Sequence, residues 1–176
     1  MKLLSFIAPA CLLGTAASID MSKYSAGPGV ESGFKSFVQA LYASTEDPAV
    51  RETFADYFTT NGTLIVRGIV ATGADEIIAL KEKLLPPAGN KHWNHKPNVT
   101  TVNSETATQK IYQVLGVIQS TFDGGNCSQA YYSTRFTVTK DASGIPQIAP
   151  HSGSLVSYDD FIIEPSQTPT DIPCEK

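Results

Sequence analysis

The sequence predicts an α+β fold, with three helices near the N-terminus packed on an antiparallel sheet. Three observations carry this. Apolar residues recur at helical spacing before residue 86, β-branched and aromatic residues gather in extended runs after residue 98, and Gly- and Asp-rich turns separate those runs. The chain has 176 residues. That is enough for one domain with a core of its own.

The elements follow in order. Residues 19–30 contain Gly and Pro and read as irregular. Phe34, Phe37, Val38, Leu41 and Tyr42 then share one helical face. Asp47-Pro48 opens a second helix, as N-cap and first helical residue, with Val50, Phe54, Tyr57 and Phe58 toward the core. Asn61-Gly62 reads as a turn, and Thr63-Leu64-Ile65-Val66-Arg67 as a short strand. Thr72-Gly73-Ala74-Asp75 is a capping-box-like start to a third helix. Ile77, Ile78, Lys81, Leu84 and Leu85 line one side of it, and Pro86-Pro87 stops it. Residues 92–98 read as a loop at the helix-to-sheet junction. Strands follow at 99–102, 109–122, 130–139 and 153–163. Asp123-Gly124-Gly125-Asn126 and Asp141-Ala142-Ser143-Gly144 supply hairpin turns.

The N-terminus reads as a secretory signal peptide over residues 1–18. Lys2 precedes an apolar run from Leu3 to Leu13, and the small residues Gly14-Thr15-Ala16-Ala17-Ser18 form the cleavage region. The apolar run is too short to span a membrane. Cleavage removes Cys11 and leaves Cys127 and Cys174, which in an exported chain read as one disulfide. That bond would tie the tail, residues 165–176, to a turn in the sheet. The tail is otherwise rich in Pro, Thr and Ser. Loss of Lys2 moves the formal net charge from −4 to −5. Asn61, Asn98 and Asn126 each head an N-x-Ser/Thr sequon at an expected turn or element end. The expectation is a secreted eukaryotic glycoprotein. The mild acidity, with no basic run, speaks against nucleic acid and against a membrane surface as partners.

The segment His92-Trp93-Asn94-His95-Lys96-Pro97-Asn98 holds two of the three histidines and the only tryptophan. Imidazole titrates near neutral pH, so this is where proton-transfer chemistry at a pocket mouth would be built. The bland alternative, a solvent-exposed or structural histidine, stays open for both His92 and His95. No Cys or carboxylate cluster joins them, and no metal site is expected. Trp93 either lines a pocket or covers one end of the core. His151 lies between Pro150 and Ser152 in an expected loop. On the third long strand Tyr132, Thr134, Phe136 and Val138 alternate with Tyr131, Ser133, Arg135 and Thr137. Arg135 therefore sits on a wet sheet face or is a single charge inside a cavity. Tyr112 and Tyr131 either donate hydrogen bonds to a ligand or pack with their hydroxyls satisfied at a rim. No Gly-x-Ser-x-Gly elbow is present.

The element order resembles the nuclear transport factor 2-like superfamily, with its SnoaL-like and scytalone dehydratase-like families. Phe54-Ala55-Asp56-Tyr57-Phe58-Thr59-Thr60-Asn61-Gly62-Thr63-Leu64 is similar to the passage from the family's second helix into its first strand. Gly73-Ala74-Asp75-Glu76-Ile77 is similar to the start of its third helix. The likeness covers residues 31–164. It implies a cone formed by a curved antiparallel sheet around the helices, enclosing a pocket. Members include isomerases, dehydratases and cyclases of small polyketide, terpenoid or steroid-like molecules, and proteins that only bind. In Lys91-His92-Trp93, His92 matches the pocket acid/base histidine of scytalone dehydratase-like members. Their second histidine has no counterpart, and Tyr112 or Gln113 stands near its place. Arg67 stands where ketosteroid isomerase-like members carry a carboxylate base.

Together these readings give a secreted, cofactor-free isomerase, dehydratase or cyclase of a small natural product in secondary metabolism. His92 or His95 is its acid/base. Trp93, Tyr112, Tyr131, Arg135 and His151 are its ligand contacts. The alternative is a non-catalytic secreted small-molecule-binding protein. The outer sheet face is a candidate homodimer surface.

Overall fold

In a computed structural model of the protein, which describes residues 19–162 and Cys174, residues 19–30 stay irregular apart from β1 (Ser25–Ala26). The segment expected to be a signal peptide lies outside the described residues. So does the tail, except for Cys174. The apolar face beginning at Phe34 forms helix α1 (Phe34–Glu46) and runs one turn further than the pattern, to bury Thr45. The Thr45 hydroxyl donates to the Leu41 carbonyl at 2.9 Å, so it enters the core satisfied.

Asp47 ends α1 instead of opening a helix. Its N–H donates to Ala43, and its carboxylate accepts the Ala49 N–H at 2.9 Å. That turn spends the Asp47 side chain locally, and the expected second helix shrinks to one turn, α2 (Glu52–Ala55). Phe58 belongs to strand β2 (Phe58–Val66) and pairs with Leu155. Asn61-Gly62 is therefore not a turn. It lies within β2, where the register slips between Phe58 and Thr63. A Cβ on Gly62 would stand 2.8 Å from the Leu155 carbonyl oxygen, which explains the glycine.

A strand the sequence reading missed follows, β3 (Ile69–Thr72). Arg67 and Gly68 both have positive φ, 50° and 81°, which makes the two-residue hairpin turn that suits strand twist. Helix α3 (Gly73–Leu84) then starts where expected, but the Thr72 side chain makes no cap bond, and Glu76 accepts the Thr72 N–H at 2.8 Å. Its buried residues are Ile77, Leu80 and Lys81.

The largest correction concerns the histidine segment. It is not a loop but the first half of β4 (Lys91–Glu105), paired antiparallel with β5 (Gln109–Phe122). Pro97 is tolerated because β1 pairs with β4 only at Val99 and Thr100, and because a bulge follows between Pro97 and Thr100. β6 (Cys127–Thr139) and β7 (Leu155–Ile162) complete a seven-stranded sheet of order β1-β4-β5-β6-β7-β2-β3. The sheet is mixed, not purely antiparallel as expected, since β1–β4 and β2–β7 are parallel. No described helix is long and apolar enough to cross a membrane.

The helix-facing side of the sheet carries the core. Phe34 stacks on Tyr112 with centroids 3.9 Å apart, and Phe37, Tyr42, Phe136 and Tyr158 pack around them. Cys127 and Cys174 stand in disulfide position, with Cα atoms 6.2 Å apart. Gly116 lies opposite Pro97 and Tyr132, and a Cβ there would come within 2.7 Å of the Tyr132 ring. We expect Gly116→Ala to destabilise the fold by about 2 kcal/mol through overpacking. Urea unfolding would read this as a lower midpoint at unchanged slope; an unchanged midpoint would refute it.

Candidate functional site

Alternation along the strands decides which side chains face the helices. Lys91, Trp93 and His95 share the inner face of β4. They stand beside Ile118 and Ser120 of β5, and Ser128 and Ala130 of β6. Leu64 and Val66 of β2 lie next to Tyr158 and Asp160 of β7. Thr45 of α1, Phe54 of α2, and Lys81 and Leu84 of α3 cover this face. Together with Arg67 and Gln129 they enclose a cavity of about 280 Å³. That is near the lower end of the range for small-molecule pockets. Its closed end is polar, with His95, Thr45, Tyr158 and Asp160 all buried. Its rim is partly exposed at Arg67, Lys91, Ser128 and Gln129. Apolar side chains make most of the wall between.

His95 is the centre of the closed end and is 2% exposed. Its Nδ1 lies 2.9 Å from Oε1 of Glu46, in the last turn of α1. The same oxygen accepts the His95 backbone N–H. A carboxylate can only accept, so Nδ1 carries a proton, and in the neutral ring the lone pair is on Nε2. Tyr42 stacks flat on the imidazole at 4.3 Å and 9°, while Tyr132 and Trp93 meet it edge-on. The ring is thus held in one plane and one tautomer.

Asp160 is the second ionisable group here. The Thr134 hydroxyl donates to its Oδ1 at 2.7 Å. Burial pushes its carboxyl above the usual aspartate value, and neighbouring His95 and the Thr134 bond pull back only part of the way. Burial likewise drives the Tyr158 phenol well above its ordinary value, so it stays a hydrogen-bonding hydroxyl. Lys81 donates to the carbonyls of Asp47 and Val50, each at 2.6 Å. Desolvation holds its ammonium below the usual lysine value. No cluster of His, Cys, Asp or Glu among the described residues is placed to hold a metal ion.

The remaining candidates fall elsewhere. His92 points to the opposite face of β4, exposed, with Nε2 3.0 Å from Asp123. His151 is exposed at a positive φ of 55°, and its Nδ1 pairs with the Thr53 carbonyl. Tyr131 is exposed on the outer sheet face, and Arg135 pairs there with Asp159 at 2.7 Å. Both follow from the strand alternation, which puts Tyr132 inside. Tyr112 is buried but away from the cavity wall, stacked on Phe34 and donating to Glu31. Of the candidates, the cavity keeps His95 and Trp93. The sequence reading missed Glu46, Tyr158 and Asp160. The last two share a period-two face of one strand, which was the available signal.

Because Asp160 is the group whose charged form is penalised in the fold, its linkage has a definite sign. The folded carboxyl binds its proton more tightly than the unfolded one, so it costs stability as pH rises above 3.8, the ordinary aspartate value. Asp160→Asn should therefore be more stable than the native protein at neutral pH, with the gap closing as pH falls toward that value. Paired thermal melts across this range would show it. An Asn variant that is less stable at neutral pH would mean that the charge helps hold the fold.

The architecture is shared with solved structures of low identity. ActVI-ORFA from Streptomyces coelicolor superposes with a TM-score of 0.56 at 14% identity, over 74% of this chain and 98% of that one. A ketosteroid isomerase-like protein from Erwinia carotovora atroseptica gives 0.52 at 17%, over 74% and 94%. The Orange Carotenoid Protein of Anabaena, in a structure binding canthaxanthin, gives 0.56 at 12%, over 93% of this chain and 44% of that one. Comparison with curated proteins found no match. The SnoaL-like domain model matches residues 37–144. With that match across more than half its length, the chain belongs to the SnoaL-like domain family.

Proposed function

We propose that the protein is a cofactor-free isomerase, dehydratase or cyclase of a small natural product, with His95 as general base and Asp160 as its acid partner. The observation that carries this is the buried Glu46–His95 pair beside Asp160 at the closed end of an otherwise apolar cavity. Nε2 of His95 takes a proton from carbon next to a carbonyl, or from a hydroxyl. Asp160, whose burial favours the protonated carboxyl, returns one to the developing oxyanion or the leaving hydroxyl. Glu46 stabilises the imidazolium while it exists. The two carboxyl groups thus have different tasks, set by their surroundings. The ketosteroid isomerase-like neighbour supports proton-transfer chemistry in this fold, and the carotenoid-binding neighbour supports ligand binding. We place the active site at the inner end of a cone-like sheet.

A panel of small cyclic β-hydroxyketones and enones in deuterium oxide tests the chemistry. The native protein should exchange or convert at least one of them, and His95→Gln should lower that rate at least about a hundredfold without loss of fold. Ligands that bind without exchange or conversion would make the protein a non-catalytic binder.

The reading includes export. Asn61, Asn98 and Asn126 are exposed, as glycan acceptors must be, and the Cys127–Cys174 pairing suits an oxidising compartment. Loop closure over 47 residues would stabilise the fold by roughly 4 kcal/mol in the chain-entropy model. Protein collected from the medium of a eukaryotic host should begin near Ile19, lose mass on glycosidase treatment and contain no free thiol. Intracellular protein that retains Met1 and two reduced cysteines would refute export.

A further inference from the structure

The cavity wall is mostly apolar, and besides its polar closed end and the rim residues Ser128 and Gln129 it carries three cations. Arg67 from the β2–β3 turn, Lys81 from α3 and Lys91 from β4 all line it. Three separate elements thus bring positive charge to one cavity in a chain whose formal net charge is −4. Among the described residues the one carboxylate in the wall is Asp160, which lies buried with His95.

Two of the cations have donors to spare. Lys81 is 3% exposed, and its ammonium spends two of three N–H groups on the Asp47 and Val50 carbonyls. Tying the α1–α2 connection accounts for those two donors and leaves the third without a hydrogen-bond partner among the described residues, on a residue that lines the cavity. Lys91 lies 5.0 Å from the Trp93 ring centroid and has no carboxylate within 4.0 Å among the described residues. Its partner is an indole that itself lines the cavity. An anion at the cavity would find Lys91 partly exposed at the rim and Lys81 buried in the wall.

We propose that the ligand of this cavity is a small aromatic or alicyclic carboxylate. Its anionic group is held by Lys91 and Lys81 with Arg67 near the rim, and its apolar body lies against Trp93, Phe54 and Leu64. This rests on the pocket reading above and adds the charge of the ligand to it. Anchoring the carboxylate on the lysines leaves the apolar body to extend toward His95 and Asp160. The small volume restricts that body to one or two rings.

Cinnamate and cinnamamide, nearly equal in shape and differing in charge, separate the possibilities. Calorimetry should give cinnamate at least about tenfold tighter binding than cinnamamide, since a hydrogen bond to a charged acceptor is stronger than one to a neutral amide. Lys91→Met keeps the apolar stem and should erase most of that preference, weakening cinnamate far more than cinnamamide. Lys81→Met also breaks the Asp47 and Val50 ties, so Lys91→Met is the deciding variant. The indole N–H resonance of Trp93, the only tryptophan, reports whether binding is in the cavity. Equal affinity for acid and amide, with the Trp93 resonance shifting, would overturn the anion preference and leave the pocket reading intact. A preference for cinnamate unchanged by Lys91→Met would overturn its assignment to this cluster. No shift of Trp93 with either compound would overturn the cavity as a ligand site, and this proposal with it.

Discussion

The contact between Glu46 and His95 sets both the geometry of the helix on the sheet and the chemistry of the cavity. One carboxylate oxygen receives the backbone N–H and the ring Nδ1 of the same residue. The bond therefore joins the last turn of α1 to the inner face of β4, and at the same time chooses the imidazole tautomer. Both partners are largely removed from water, which strengthens the interaction and makes its loss costly. Tyr42, one turn before Glu46, adds the stacking surface that keeps the ring from rotating. A helix shifted along the sheet would lose the hydrogen bonds and the stack together.

The rest of the site follows from strand parity. His95 faces inward because Trp93 and Lys91 do, and the bulge after Pro97 then resets the alternation so that Thr100 and Val102 also point to the core. Without that extra residue, burying Thr100 would turn His95 to the outer face. Gly116 contributes by absence, since its missing side chain lets the Tyr132 ring approach the sheet and close the floor beside His95.

Much of the fold was legible in the sequence because it is written in periodicity. The α1 face, the whole of β5, the alternation of β6 and the Gly-rich turn at Asp123 all appear where the residues place them. The errors occur where a local signal met a tertiary demand. Asp47-Pro48 looks like a helix start, but Asp47 spends its carboxylate on Ala49 and the sheet claims Phe58. Pro97 and two asparagines look like a loop, but the half of β4 before the bulge pairs on one side only, so a missing N–H at Pro97 costs little. The candidate site was less legible. His95 and Trp93 stood out by rarity, whereas Glu46 and Asp160 are ordinary acidic residues whose role depends on distances across the chain.

The closed end of the cavity also departs from what stability alone would select. Burial disfavours the charged form of Asp160, which stands beside the buried His95. The apolar wall formed by Phe54, Leu64, Val66, Leu84 and Ile118 shows that hydrophobic side chains fit this space readily. Ionisable groups at its inner end are thus not required by packing, and the proposed acid/base chemistry would use those groups away from water.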